Sequence, residues 1–162
     1  MVFSTELLPK IFATAAATID SQADEITALD LAIGDGDHVV NLQRGLQALV
    51  KQADTFSGLT WTAAWQKIGM TLMTTVGGAS GSLLGTLFVS MAKAPECTDA
   101  ISFSVAFSQG VAMMKQRGKA DVGEKTMLDV LVHVAVYLQT AQETALDKRL
   151  QAIMDEIGRA HV

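Results

Sequence analysis

Three carboxylates fall within eight residues in the segment Asp30-Leu-Ala-Ile-Gly-Asp35-Gly-Asp37-His38, and two glycines let the backbone turn tightly around them. Like charges crowded so closely call for a cation. Hard oxygen donors in a short turn suit magnesium or calcium, whereas zinc would want cysteine or histidine. An EF-hand is excluded, because its twelve-residue loop needs more oxygen positions and a closing glutamate, and this segment runs straight into Val39 and Val40. Magnesium takes few carboxylates and shares its other positions with water and substrate phosphates, so a nucleotide is the natural companion. The competing account is a solvated turn in which Asp37 only caps the following helix. His38, next in the chain, could donate from its ring to a phosphate oxygen or serve as a capping or surface residue.

A second signal is Gly77-Gly-Ala-Ser-Gly-Ser82, set between two helical segments. Free backbone N–H groups and the Ser80 hydroxyl at a helix start make an anion site. The alternative is close helix packing, for which glycine is equally suited. A third is Gly118-Lys-Ala-Asp-Val-Gly123-Glu-Lys125-Thr126, which approaches a Walker A loop but carries one residue too many before the lysine and has no preceding strand, so that reading is rejected. It reads either as a border to a nucleotide or as a plain surface loop. No Ser/His/Asp or Cys/His arrangement emerges from the order of residues, and no catalytic residue is assigned in this chain.

The elements that must position these groups read as helices. At 162 residues the chain has the length of one domain, taken as residues 1–162. Apolar residues make up 49% but aromatics only 6%, so Leu, Val, Ile, Met and Ala must build the core, a mixture that favours helix over sheet. A first helical region spans residues 8–29 with a break near Ser21, where Ser21 and Asp24 have capping-box spacing. Leu42, Leu46, Leu49 and Val50 form a helical stripe, and Thr60 is the expected N-cap of a segment carrying Trp61, Trp65, Ile68, Leu72, Met73 and Val76. Residues 80–94 are apolar nearly all round and stop at Pro95; Thr98 or Asp99 caps the next helix, which reaches about Gln116. Helical spacing resumes over residues 127–140 and again at Leu146, Leu150, Ile153 and Ile157. The fold class is all-α, an antiparallel barrel or bundle of about eight helices. His133 sits on an apolar stripe and reads as a core histidine, the eight methionines as core filler, Cys97 as an ordinary loop residue, and His161 as uninformative.

A net charge of −5 with 12 basic residues and no basic cluster excludes a nucleic-acid partner met phosphate by phosphate, and bare anions should be repelled too. No apolar run approaches the ~20 residues of a membrane span. Nothing at the N-terminus reads as an export signal, and the single cysteine agrees with a reducing compartment, so the expected location is cytoplasmic.

Taken in order, Gly34-Asp-Gly-Asp-His38 with Asn41 and Arg44-Gly45, then Gly77-Gly-Ala-Ser-Gly81 with Gly85-Thr86, then Arg117-Gly-Lys-Ala with Gly123 and Lys125-Thr-Met127 resemble the nucleotide-binding subunit of dihydroxyacetone kinases, the DhaL family, over roughly the first 140 residues. The resemblance implies an eight-helix barrel that holds ADP or ATP through two Mg2+ ions. It further implies Asp30, Asp35 and Asp37 as metal ligands, His38 and Asn41 at the nucleotide, Ala79 and Ser80 around the β-phosphate, and Gly118 and Met127 bordering the adenosine. The implied partners are a sugar-binding, DhaK-like kinase subunit that receives the γ-phosphate, a DhaM-like phosphocarrier of the phosphotransferase system, and a transcriptional regulator.

Val39 stands where the family commonly has glycine, and the family usually continues beyond the Gly158-Arg159-Ala160 region through a Gly-Arg-Ala-Ser-Tyr-Leu-Gly type segment and an Asp-Pro-Gly loop. The expectation from that comparison is a shortened or degenerate member. Its alternative function is a catalytically impaired module that senses nucleotide and contacts a kinase subunit or transcription factor.

Overall fold

The computed structural model describes residues 4–140 and 146–159, and every regular element in them is helical. His161 lies outside the described residues. A 3-10 turn at Thr5–Leu7 leads into α1 (Leu8–Ser21), where Pro9 takes a first-turn position whose missing N–H would have had no helical partner. Then follow α2 (Ala23–Ile33), α3 (His38–Lys51), α4 (Trp61–Thr75), α5 (Gly78–Met91), α6 (Ala100–Gly118), α7 (Leu128–Thr140) and α8 (Leu146–Arg159). No described helix is long and apolar enough to cross a membrane.

Local chemistry sets most boundaries. The Thr60 hydroxyl accepts the Ala63 N–H at 3.2 Å and starts α4. Asp99 and Ser102 form a capping box that starts α6, with the Ser102 N–H donating to Asp99 Oδ1 at 2.8 Å. The break near Ser21 exists, but the capping box expected there does not form. Ser21 is the last residue of α1, its hydroxyl donates back to the Thr18 carbonyl at 2.8 Å, and Gln22 precedes α2 without a side-chain cap. The α2 helix runs on to Ile33, so Asp30 stands in a helix's last turn rather than in a loop.

From α3 onward each helix packs on its neighbour in sequence through α8, and α1 and α2 both pack on α3. Glycines bring the axes close. A β-carbon on Gly69 or on Gly85 would stand 2.9 Å from the other's carbonyl oxygen, so α4 and α5 meet backbone to backbone, and one on Gly110 would stand 2.8 Å from the Leu87 carbonyl at the α5–α6 contact. Aromatics fill the wider spaces. Trp61 and Trp65, one turn apart on α4, stack at 4.6 Å, Trp65 continues to Phe88 on α5, and Phe12 meets Phe56 edge-on at 5.0 Å.

Three sequence expectations change here. His133 is exposed, its Nδ1 2.5 Å from the Asp129 carbonyl, because Val134 and Ala135 take the inward face of α7. Cys97 belongs to the core, where burial pushes its thiol up and the Trp65 indole partly opposes that. Met91 and Met114 are core filler as expected, whereas Met70 and Met154 face outward.

Candidate functional site

The acidic turn joins α2 to α3. Gly34 closes α2 by donating its N–H to the Asp30 carbonyl at 2.6 Å, and a side chain there would press on the Asp30 carboxylate, since a β-carbon would lie 2.5 Å from Oδ1. Gly36, between Asp35 and Asp37, has φ +78°, in the left-handed region that only glycine enters cheaply. Asp30 Oδ2 accepts the His38 N–H at 3.1 Å and so caps α3 from the preceding helix. Asp37 occupies the N-cap position itself, yet its side chain makes no capping bond. The simple capping account of Asp37 is therefore not what its side chain does.

Asp30 is half-buried, Asp35 and Asp37 are exposed, and each offers a carboxylate oxygen within 4.8 Å of the others. Among the described residues none of the three pairs with a lysine or arginine. A cation with oxygen ligands at ~2.1 Å sets those oxygens about 3–4 Å apart, so the group suits magnesium in donor type and nearly in spacing. Asp30 thus has a double position, helix cap and member of the carboxylate group, that its place in the sequence did not reveal.

One turn into α3, Asn41 is buried and its Oδ1 accepts from the Arg44 guanidinium at 3.3 Å. That same oxygen abuts Gly77, the residue before α5. Gly78, Ala79 and Ser80 then form the first turn of α5, where backbone N–H groups have no partner within the helix and the dipole favours an anion. Gly78 has φ +65° with open space around it, whereas a β-carbon on Gly81 would lie 2.1 Å from the Val76 carbonyl. The glycines of this stretch do different things. Gly77 and Gly81 permit packing, and Gly78 to Ser80 present donors. Val39 is buried in the first turn of α3.

Gly118 and Met127 come together at a hollow of about 170 Å³, completed by Leu83 of α5, Met114 of α6, Ala120, Thr126 and Leu128. Its walls are apolar side chains apart from Thr126, whose hydroxyl already accepts the Leu128 N–H at 3.2 Å. A cleft that encloses a whole small ligand has roughly 300–1,000 Å³, so this one suits a single apolar portion. Leu83 lies three residues beyond Ser80 on one face of α5, which sets the hollow next to the donor turn. Leu83 and Met114 were not singled out in the sequence, since their only signal is helical spacing shared with every core residue.

The chain matches the family described as the DAK2 domain over residues 32–161, beginning just after Asp30. It is 38% identical over 134 residues to the ADP-binding subunit DhaL of PEP-dependent dihydroxyacetone kinase 1 from Listeria innocua, covering 80% of this chain and 68% of that one. It is 35% identical over 129 residues to the corresponding Escherichia coli subunit, covering 78% and 61%. Among solved structures it is similar to the C. freundii dihydroxyacetone kinase in complex with AMP-PNP and Mg2+, with a TM-score of 0.77, 26% identity, and coverage of 95% of this chain and 28% of the other. The chain therefore spans about two thirds of the DhaL subunits and little over a quarter of the C. freundii kinase chain.

Proposed function

Since the chain belongs to the DAK2 domain family, we propose that it is the nucleotide-binding phosphotransfer subunit of a dihydroxyacetone kinase. On this reading it is one domain over residues 1–162 that holds ADP or ATP with magnesium and passes the γ-phosphate to a sugar on a separate subunit. The observation that carries the reading is the convergence of Asp30, Asp35 and Asp37, with oxygens within 4.8 Å of one another, at the start of the helix that carries His38 and Asn41.

The carboxylates of Asp30, Asp35 and Asp37 would hold the metal, and we favour two ions. Bound there, magnesium supplies positive charge against the phosphate oxygens. The first turn of α5, with Ala79 and Ser80, donates N–H groups to the β-phosphate. His38 and Asn41 flank the nucleotide, and the hollow at Gly118 and Met127 borders the adenosine and takes an apolar face of its base. A net charge of −5 repels a bare polyphosphate, so the nucleotide arrives with its metal. No nucleophile of this chain is needed; the carboxylates would act on the phosphates only through the metal they hold, the α5 donors would bind the phosphates directly, and the sugar hydroxyl would come in line from a DhaK-like subunit. A DhaM-like phosphocarrier recharges the nucleotide, and the location is cytoplasmic.

The test mixes the chain with a sugar-binding kinase subunit, dihydroxyacetone and a phosphorylated carrier or ATP. Dihydroxyacetone phosphate should form, and replacing Asp35 with alanine should abolish both its formation and Mg-ADP binding in calorimetry. Retained Mg-ADP affinity in that variant removes the assignment. Tight Mg-ADP binding by the parent without product would turn the reading toward a nucleotide-sensing module.

A further inference from the structure

The segment that walls the hollow has little of its own to hold it. Residues 121–126 are all exposed, and Gly123 and Lys125 lie in the left-handed region at φ +92° and +56°. Such a stretch takes no shape from the core, so its hydrogen bonds must give it one. They come from Asp129, the second residue of α7. Its Oδ2 accepts the Thr126 N–H at 2.7 Å, and its Oδ1 accepts the Gly123 N–H at 2.5 Å. At the other end Asp121 pairs with Lys115 of α6 at 2.6 Å.

The bond to Thr126 is what an acidic residue in a first turn ordinarily does for its own helix. The bond to Gly123 is not, because it reaches six residues back and serves no helix end. We infer that Asp129 is a positioning residue for the base end of the nucleotide, its carboxylate clamping the 119–127 segment so that Ala120, Thr126 and Met127 form one wall of the adenosine hollow. The inference rests on the nucleotide reading above. It concerns a residue distant in sequence from the acidic turn and gives Asp129 no contact with phosphate or metal. The N–H donors of Gly123 and Thr126 hold its carboxyl below the usual carboxylate range, so the clamp is charged at neutral pH.

Two ligands separate this role from simple helix capping. Mg-ADP reports base and phosphates together, whereas Mg-tripolyphosphate reports the phosphate end alone. Asp129→Asn, which keeps one acceptor and loses the other, should weaken Mg-ADP about tenfold in calorimetry while leaving Mg-tripolyphosphate unchanged. Gly123→Ala, strained at its positive φ but outside α7, should do the same with the α7 cap intact. In the ligand-free parent the amide protons of Gly123 and Thr126 should exchange slowly, and Asp129→Asn should release them.

Rapid exchange in the parent overturns the clamp and leaves the nucleotide reading standing. Equal loss of both ligands, or of neither, in these two variants overturns the positioning role. Failure of the parent to bind Mg-ADP, with the amides protected, removes the nucleotide reading and this inference with it.

Discussion

The Asn41 amide oxygen lies so close to Gly77 that a β-carbon built on the glycine would stand 2.4 Å from it. Asn41 is one turn beyond the acidic turn, and Gly77 immediately precedes the donor turn of α5, so this contact joins the two halves of the proposed phosphate site. Gly77→Ala must displace either the Asn41 side chain or the junction. It should lower stability by about 1–3 kcal/mol, the cost of forcing an atom into a packed contact. It should also weaken Mg-ADP measurably, whereas Gly45→Ala, which presses on Val76 and Leu72 instead, should act on stability first. Chemical denaturation and calorimetry on the two variants check the difference.

Asp30 and Asp37 should respond differently to truncation. Asp30→Ala removes the acceptor for the His38 N–H and should cost the ligand-free protein about 1 kcal/mol of stability as well as its metal. Asp37 makes no capping bond and is exposed, so Asp37→Ala should leave the ligand-free thermal midpoint unchanged or slightly raised, with one like charge fewer in the turn. With Mg-ADP at about 100 times its Kd the parent should gain roughly 2.7 kcal/mol, and neither variant should. Thermal midpoints with and without Mg-ADP decide it.

At the α4–α5 contact, Gly85→Ala should be among the most destabilising single changes in the chain. The added carbon would meet the Gly69 carbonyl at 2.9 Å and the Met73 side chain more closely still, and backbone cannot swing aside as a side-chain end can. A loss of about 3 kcal/mol is expected. Gly58→Ala serves as the contrast, because nothing lies within 4 Å of its β-position and only the strain of φ +74° remains. Urea unfolding midpoints should rank the two accordingly.

What could be read from the sequence was chiefly what is local. Thr60 and Asp99 announce helix starts because a cap and its target lie within three residues, and the three aspartates announce themselves by crowding. Contacts across the fold were not legible. Glu96 accepts from the Trp61 and Thr62 N–H groups and so caps α4 from 35 residues away, and no spacing rule pairs them. Asp30 read as a loop residue because the helical region reads as ending at residue 29, yet α2 runs to Ile33 and Gly34 is its C-cap. His133 misled for the opposite reason, since a stripe of apolar neighbours on α7 says nothing about which edge of the stripe faces water.

The caps also carry a pH dependence with a definite sign. The Ser102 N–H and hydroxyl hold the Asp99 carboxyl below its ordinary value of 3.8. A folded-state value lower than the unfolded one gives stability that is fully present above the unfolded value and is lost as the pH falls through the folded one. The Asp99→Ala variant should therefore be less stable than the parent at neutral pH, by a difference that stays level down to about pH 5 and shrinks below about pH 4 as the parent's own carboxyl protonates. Asp121, held low by Lys115, and Asp129 act in the same direction, so acid unfolding of the parent should begin in the same window. Denaturation curves for parent and variant between about pH 2.5 and 7 measure this, and a difference that grows as the pH falls would contradict the assigned sign.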